Sequence, residues 1–111
     1  MTARTELSIE NLTPQEVLRL QNEDRILLID VREPHEFEER RIPGATLLPL
    51  SNLDLDKLPR DEQRRLVFQC GSGKRSRAAA EIFARASTGQ AAHLEGGICA
   101  WREAGYATIC D

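Results

Sequence analysis

The chain has 111 residues, enough to bury one hydrophobic core and too few for two. With 15 Lys and Arg against 18 Asp and Glu it carries a net charge of -3, which argues against a general nucleic-acid-binding surface. No apolar run is long enough to span a membrane, and Cys70, Cys99 and Cys110, an odd set without a C-x-x-C pair, indicate neither a disulfide framework nor a zinc site. Met1 to Glu6 lacks the apolar core of a signal peptide, so the expectation is one domain over 1–111 in a reducing, cytoplasmic setting, with no metal and no cofactor.

Leu7 to Leu12 reads only as a short N-terminal segment. Thr13 then supplies an N-cap, Pro14 the first helical position and Glu16 a capping box, for a helix to about Gln21. Asn22-Glu23-Asp24 turns the chain into Arg25 to Val31, whose nearly unbroken apolar run suits a strand buried on both faces of a parallel sheet. Pro34 opens a short charged helix through Glu39, and Ile42-Pro43-Gly44-Ala45 is a turn. Thr46 to Leu50 reads as a strand, and Asn52 to Leu58 as a helical turn or two offering Leu53, Leu55 and Leu58 for burial. Pro59-Arg60-Asp61 is a break, and Arg65 to Phe68 is a buried strand. Ala78, Ala79, Ile82, Phe83 and Ala86 then recur at helical spacing. Gly89 fits a helix C-cap, Ala91 to Leu94 a last strand, and Gly96-Gly97 the turn into a helix carrying Trp101. Strands alternating with helices predict a three-layer α/β domain, with a central, mainly parallel sheet flanked by helices. Ligands of such sheets bind beyond the carboxyl ends of the strands.

Chemistry concentrates in Gln69-Cys70-Gly71-Ser72-Gly73-Lys74-Arg75-Ser76-Arg77, at the turn between the strand over Arg65 to Phe68 and the helix that follows it. Backbone N–H groups converge at a helix N-terminus, and glycines let the chain curl into a nest that holds an anion. Lys74, Arg75 and Arg77 crowd a first turn where the macrodipole disfavours cations by roughly 0.3 to 1 kcal/mol each. The simplest compensation is an anion in the loop, either the Cys70 thiolate or a bound oxyanion. Such a field lowers a thiol below its free value of about 8.5, which makes Cys70 a candidate nucleophile with no need of a histidine base. An inert buried cysteine beside a solvated basic patch is the competing reading, and it accounts for neither the glycines nor the cations.

Three segments together resemble the rhodanese homology domain: Leu28-Ile29-Asp30-Val31-Arg32-Glu33 with Glu36-Phe37 and Ile42-Pro43-Gly44-Ala45; Cys70 to Ser76; and Leu94-Glu95-Gly96-Gly97 with Ala100-Trp101 and Ala104-Gly105-Tyr106. The resemblance covers nearly the whole chain. It implies a single-domain sulfurtransferase that carries sulfane sulfur as a persulfide on Cys70, in a six-residue loop ending at Arg75. Gly71, Ser72, Gly73, Lys74, Arg75 and Ser76 would bind a small anionic donor such as thiosulfate, and a thiol, a protein or cyanide would accept the sulfur. Arg40-Arg41 stands where the family usually has Gly-His, and Gly71 where relatives often carry a larger or basic residue. One alternative is a binding or regulatory module of the same fold. Another is a phosphatase or arsenate reductase, for which arginine would stand six positions after the cysteine, where this chain has Ser76.

Asp30 and Arg32, ending the buried strand over Arg25 to Val31, are expected to support the site structurally, fixing the loop ends through an ion pair or backbone hydrogen bonds. His93 could form a Cys-His pair with Cys70, but the rest of a protease site is missing. A surface or satisfied structural role is the expectation for it and for His35. Cys99 is expected to be a small buried hydrophobe beside Trp101, with resolution of a Cys70 persulfide as the alternative. Cys110 is expected to be a free thiol on a frayed end.

Overall fold

The computed structural model describes residues 6–110. Its elements are β1 (Ser8–Leu12), α1 (Pro14–Asn22), β2 (Ile26–Asp30), α2 (Pro34–Glu39), β3 (Thr46–Leu47), 3-10 turns at Leu50–Asn52 and Leu55–Lys57, β4 (Arg65–Gln69), α3 (Lys74–Ala86), β5 (Gln90–Leu94) and α4 (Gly97–Glu103). The five strands lie in the order β1-β5-β4-β2-β3, and each neighbouring pair is parallel. Cys70, the residue after β4, therefore emerges at the carboxyl edge of the central strand.

Alternation along the strands divides the core into two layers. Leu28 and Val67 face one side, with Leu12, Val17, Leu94, Ile98 and Trp101 of the neighbouring elements. Ile29, Phe68 and Cys70 face the other, against Ala79 and Ala80 of α3. This is the expected three-layer α/β arrangement with helices on both faces of a parallel sheet. The α1 capping box is also present: the Glu16 N–H donates to Thr13 Oγ1 at 3.2 Å and the Thr13 N–H to Glu16 Oε1 at 2.9 Å.

Four local expectations need correction. The N-terminal segment is a strand, β1, which pairs along its length with β5. Its sequence, Ser-Ile-Glu-Asn-Leu, has no apolar run, because an edge strand is half solvated and β5 supplies its ladder. The strand expected over 46–50 stops after Leu47. Leu48 and Leu50 still donate to the carbonyls of Asp30 and Val31, but Pro49 has no N–H and the chain coils into the 3-10 turn. On α3 the buried stripe is Ser76, Ala79, Ala80 and Ala84, while Ile82 is 41% exposed and Ala86 is exposed. The expected stripe was rotated because Ala and Ser, not the larger residues, lie closest to the sheet. Finally, Ser87 is the C-cap of α3, and Gly89, at φ 86°, closes the turn by donating to the Ala84 carbonyl.

Candidate active site

The Cys70 loop is held from both sides. Gly73 takes the left-handed conformation, φ 106°, as the residue preceding α3, a conformation that strains any residue bearing a Cβ. From outside, the first amides of α4 grip the loop carbonyls: Ile98 donates to Cys70 O at 2.8 Å and Cys99 to Gly71 O at 3.1 Å. This approach is possible only because Gly97 has no side chain. A Cβ there would collide with Cys70 O and lie 2.6 Å from Gly71 O, and its φ of 59° is left-handed as well.

With the carbonyls turned outward, the loop N–H groups face the sulfur. Cys70 Sγ, only 1% exposed as a residue, accepts from Gly73 N–H at 3.1 Å and from Ser76 N–H at 3.3 Å. Burial pushes the thiol pKa up. Hydrogen bonds from the Ser76 backbone, the Ser76 hydroxyl and the Gly73 and Ser72 amides outweigh it, and the net displacement is downward. A nucleophile poised as thiolate is what this arrangement can provide.

The cations are placed differently from the expectation that they compensate an anion in the loop. Arg75 makes a bidentate ion pair with Glu36 of α2, Nη1 to Oε1 at 2.7 Å and Nη2 to Oε2 at 3.1 Å. That pairing holds the Glu36 carboxyl at about 2, against the burial that raises it and with help from the Glu33 amide. Arg77 reaches Asn11 Oδ1 at 3.3 Å and Glu81 at 3.6 Å. Lys74 is exposed and forms no ion pair or hydrogen bond among the described residues. Glu36 on α2 and Glu81 one turn further along α3 thus relieve most of the conflict with the helix dipole, and loop amides hold the sulfur.

Asp30 and Arg32 form a buried ion pair, with Arg32 Nε to Oδ1 at 3.0 Å and Nη2 to Oδ2 at 2.8 Å. The same guanidinium donates to Arg40 O at 2.6 Å. The pair therefore ties the end of β2 to the end of α2, the helix carrying Glu36, rather than to the Cys70 loop itself. His93 is buried with both ring nitrogens paired, Nδ1 with Ser76 Oγ at 2.8 Å and Nε2 with Asn11 Oδ1 at 2.8 Å. Cys99 is exposed, contrary to the buried role expected of it, because the helix turns that side chain away from Trp101. Cys110 is an exposed free thiol, but the end is tied down: Ile109 and Arg41 form an antiparallel bridge.

Glu36 and Gly97 entered the sequence analysis only within signatures and a turn, and their contacts with Arg75 and the Cys70 loop were missed, as were Ser76's link to His93 and Asn11. The Glu36 position was legible as N3 of a second capping box after Pro34, since its side chain accepts from the Glu33 N–H at 2.9 Å. The other contacts span elements far apart in the chain and leave no local signal. Among the described residues no group of three His, Cys, Asp or Glu is arranged to hold a metal ion. A cleft of about 240 Å³ borders the loop between Ser72, Lys74, Arg77, His93 and Glu95. A larger one, about 530 Å³, lies at the opposite ends of the strands by Ser8, Arg65 and Gln90, away from the cysteine.

The family model described as the rhodanese-like domain matches residues 13–104. A protein of Synechocystis described only as uncharacterized is 37% identical over 109 residues, 98% of this chain, and the chain spans 60% of that relative's length. A sulfurtransferase of Allochromatium vinosum is 36% identical over 93 residues, covering 82% of this chain and 85% of its own. Among solved structures, a rhodanese-related protein from Thermoplasma volcanium superimposes with a TM-score of 0.78 at 28% identity, over 92% of this chain and 99% of that one.

Proposed function

The chain belongs to the rhodanese-like domain family, and from that premise we propose that residues 1–111 act as a single sulfurtransferase domain with Cys70 as its nucleophile. The Cys70 thiolate attacks the outer sulfur of thiosulfate or a related sulfane donor; a new S–S bond forms, the old one breaks, and sulfite leaves with the electron pair. An acceptor thiolate or cyanide then attacks the outer sulfur of the persulfide, and Cys70 leaves as thiolate, with no net redox change in the protein. The Gly73 and Ser76 N–H groups stabilise each anionic sulfur in turn, as an oxyanion hole does for oxygen. Gly71 to Ser76 line the donor's approach, and Lys74 is the loop cation left to attract it. No cofactor is needed, and a cytoplasmic setting suits a persulfide passed between thiols.

The observation that carries this reading is a buried cysteine sulfur facing two loop amides while α4 fixes the outward carbonyls. A tetrahedral phosphate is served less well, because the loop arginine is already engaged bidentately by Glu36. In the test, thiosulfate-treated protein gains the mass of one sulfur, and Cys70→Ala loses both that gain and sulfur transfer to cyanide. A folded wild-type protein that never loads sulfur would leave the binding-module reading in its place; full transfer by Cys70→Ala would overturn the role of Cys70.

A further inference from the structure

Three cations crowd the first turn of α3, where the helix dipole disfavours them, and two have carboxylate partners: Arg75 is held by Glu36 and Arg77 by Glu81. Lys74 has none. Its exposed side chain forms no ion pair or hydrogen bond among the described residues, and it borders the cleft of about 240 Å³ beside the Cys70 loop. The same cleft is bordered by Glu95, the residue after β5. The Glu95 carboxylate is also exposed and without an ion-pair or hydrogen-bond partner among the described residues. The other charged or titratable groups of the wall are engaged, Arg77 with Asn11 Oδ1 and His93 at both ring nitrogens. One positive and one negative charge, from two different elements, are thus left unmet in a single cleft.

Gly73 joins that cleft to the sulfur. It lines the cleft, and its N–H donates to Cys70 Sγ at 3.1 Å, so a ligand seated against it is one residue's thickness from the persulfide. No side chain fills the passage: a Cβ on Gly73 would stand 3.2 Å from Gly96 N and 3.8 Å from His93 Cε1. The volume lies below that of pockets for drug-sized ligands and suits a small molecule carrying both charges.

We propose that this cleft seats the sulfur acceptor and that the acceptor is a free α-amino-acid thiol of the cysteine class: Lys74 takes its carboxylate, Glu95 its ammonium group, and the short side chain carries the thiol over Gly73 to the Cys70 persulfide. The thiol gives its proton to solvent, and the acceptor thiolate attacks the outer sulfur. A new S–S bond forms, the bond from that sulfur to Cys70 breaks, and Cys70 keeps the electron pair as thiolate. The product is the persulfide of the amino acid, and neither an oxidant nor a reductant takes part. Donor and acceptor use Lys74 in turn, because sulfite has left before the thiol enters. A thiol with one charge meets one side of the cleft and leaves the other unmet, which is the source of discrimination.

The inference rests on Cys70 as the sulfur carrier. The persulfide is prepared with thiosulfate, verified by mass, and offered cysteine, 3-mercaptopropionate, which lacks the ammonium group, or cysteamine, which lacks the carboxylate. The second-order rate constant for loss of the sulfur mass is compared in wild type, Glu95→Gln and Lys74→Gln, so that the intrinsic reactivity of each thiol cancels. Glu95→Gln should slow cysteine and cysteamine about threefold relative to 3-mercaptopropionate, as loss of one exposed ion pair would. Lys74→Gln should slow cysteine and 3-mercaptopropionate about threefold relative to cysteamine. The same change for all three thiols, or no change, overturns the proposal. Protein that takes up no sulfur refutes the sulfurtransferase reading instead, and the cleft is then tested on unloaded wild type with L-serine, which has cysteine's two charges and no thiol. L-serine should shift the backbone amide resonances of Gly73, Lys74 and Glu95 more than glycolate or ethanolamine at equal concentration; no shift, or equal shifts from all three, overturns the proposal.

Discussion

Replacing Glu36 by Gln isolates the ion pair that holds Arg75. Gln keeps a side-chain oxygen for the Glu33 N–H, so the capping role survives and only the charge is lost. The carboxyl sits at about 2 against its ordinary 4.5, a displacement that by itself corresponds to about 3 kcal/mol. The Glu36 and Arg75 side chains are 28% and 39% exposed, however, and solvent screening reduces the net value to about 1 kcal/mol. A depressed carboxyl stabilises the fold fully above its unfolded pKa and loses that contribution as pH falls through the folded one. The variant should therefore be about 1 kcal/mol less stable in urea at pH 7. The gap to wild type should narrow between about 4.5 and about 2 and vanish below. Release of Arg75 toward the loop should also lower the apparent KM for thiosulfate several-fold at unchanged kcat. A stability gap that does not change with pH, or a variant as stable as wild type at pH 7, would refute the account of this pair.

Two further substitutions follow from backbone and core. Gly97→Ala adds a Cβ in a left-handed conformation, costing about 1 to 2 kcal/mol, and drives it against the Cys70 and Gly71 carbonyls. Sulfur loading should fall on the order of 10²-fold with the far-ultraviolet spectrum retained, and undiminished loading would show that α4 does not set the loop. Gln69→Leu removes a buried amide whose oxygen and nitrogen have no hydrogen-bond partner among the described residues. It should raise stability by about 1 to 3 kcal/mol in urea denaturation, and a loss would mean that the amide is paired.

What the sequence announced was whatever local rules govern. The Thr13-Pro14-Glu16 start of α1, the apolar run of β2 and the glycine-rich turn after β4 each declare themselves within a few residues, and together they place Cys70 at the edge of a parallel sheet. The donors around the sulfur were also foreseeable, because a loop entering a helix turns its amides inward. What stayed hidden depends on partners far along the chain. β1 is a strand only because β5 lies beside it, and Ile82 faces solvent because loop geometry sets the rotation of α3. Arg75 looked like a cation awaiting an anion because Glu36, 39 positions earlier, cannot be seen as its neighbour from sequence. Asp30 and Arg32 were foreseeable as a pair two residues apart at a strand end, but their attachment to the Arg40 carbonyl was not.

The grip of α4 on the Cys70 loop makes the finished loop a late event in folding. The residues that hold the loop carbonyls outward, Gly97 to Cys99, follow every strand of the sheet in the chain, and β1 cannot complete its edge until β5 arrives to pair Ser8 with Gln90. Loop closures of that span are the slow ones. Until they occur, the Cys70 and Gly71 carbonyls lack the α4 amides that hold them outward. The loop around Cys70 is thus locked from outside only when the last helix docks and its amides take the Cys70 and Gly71 carbonyls.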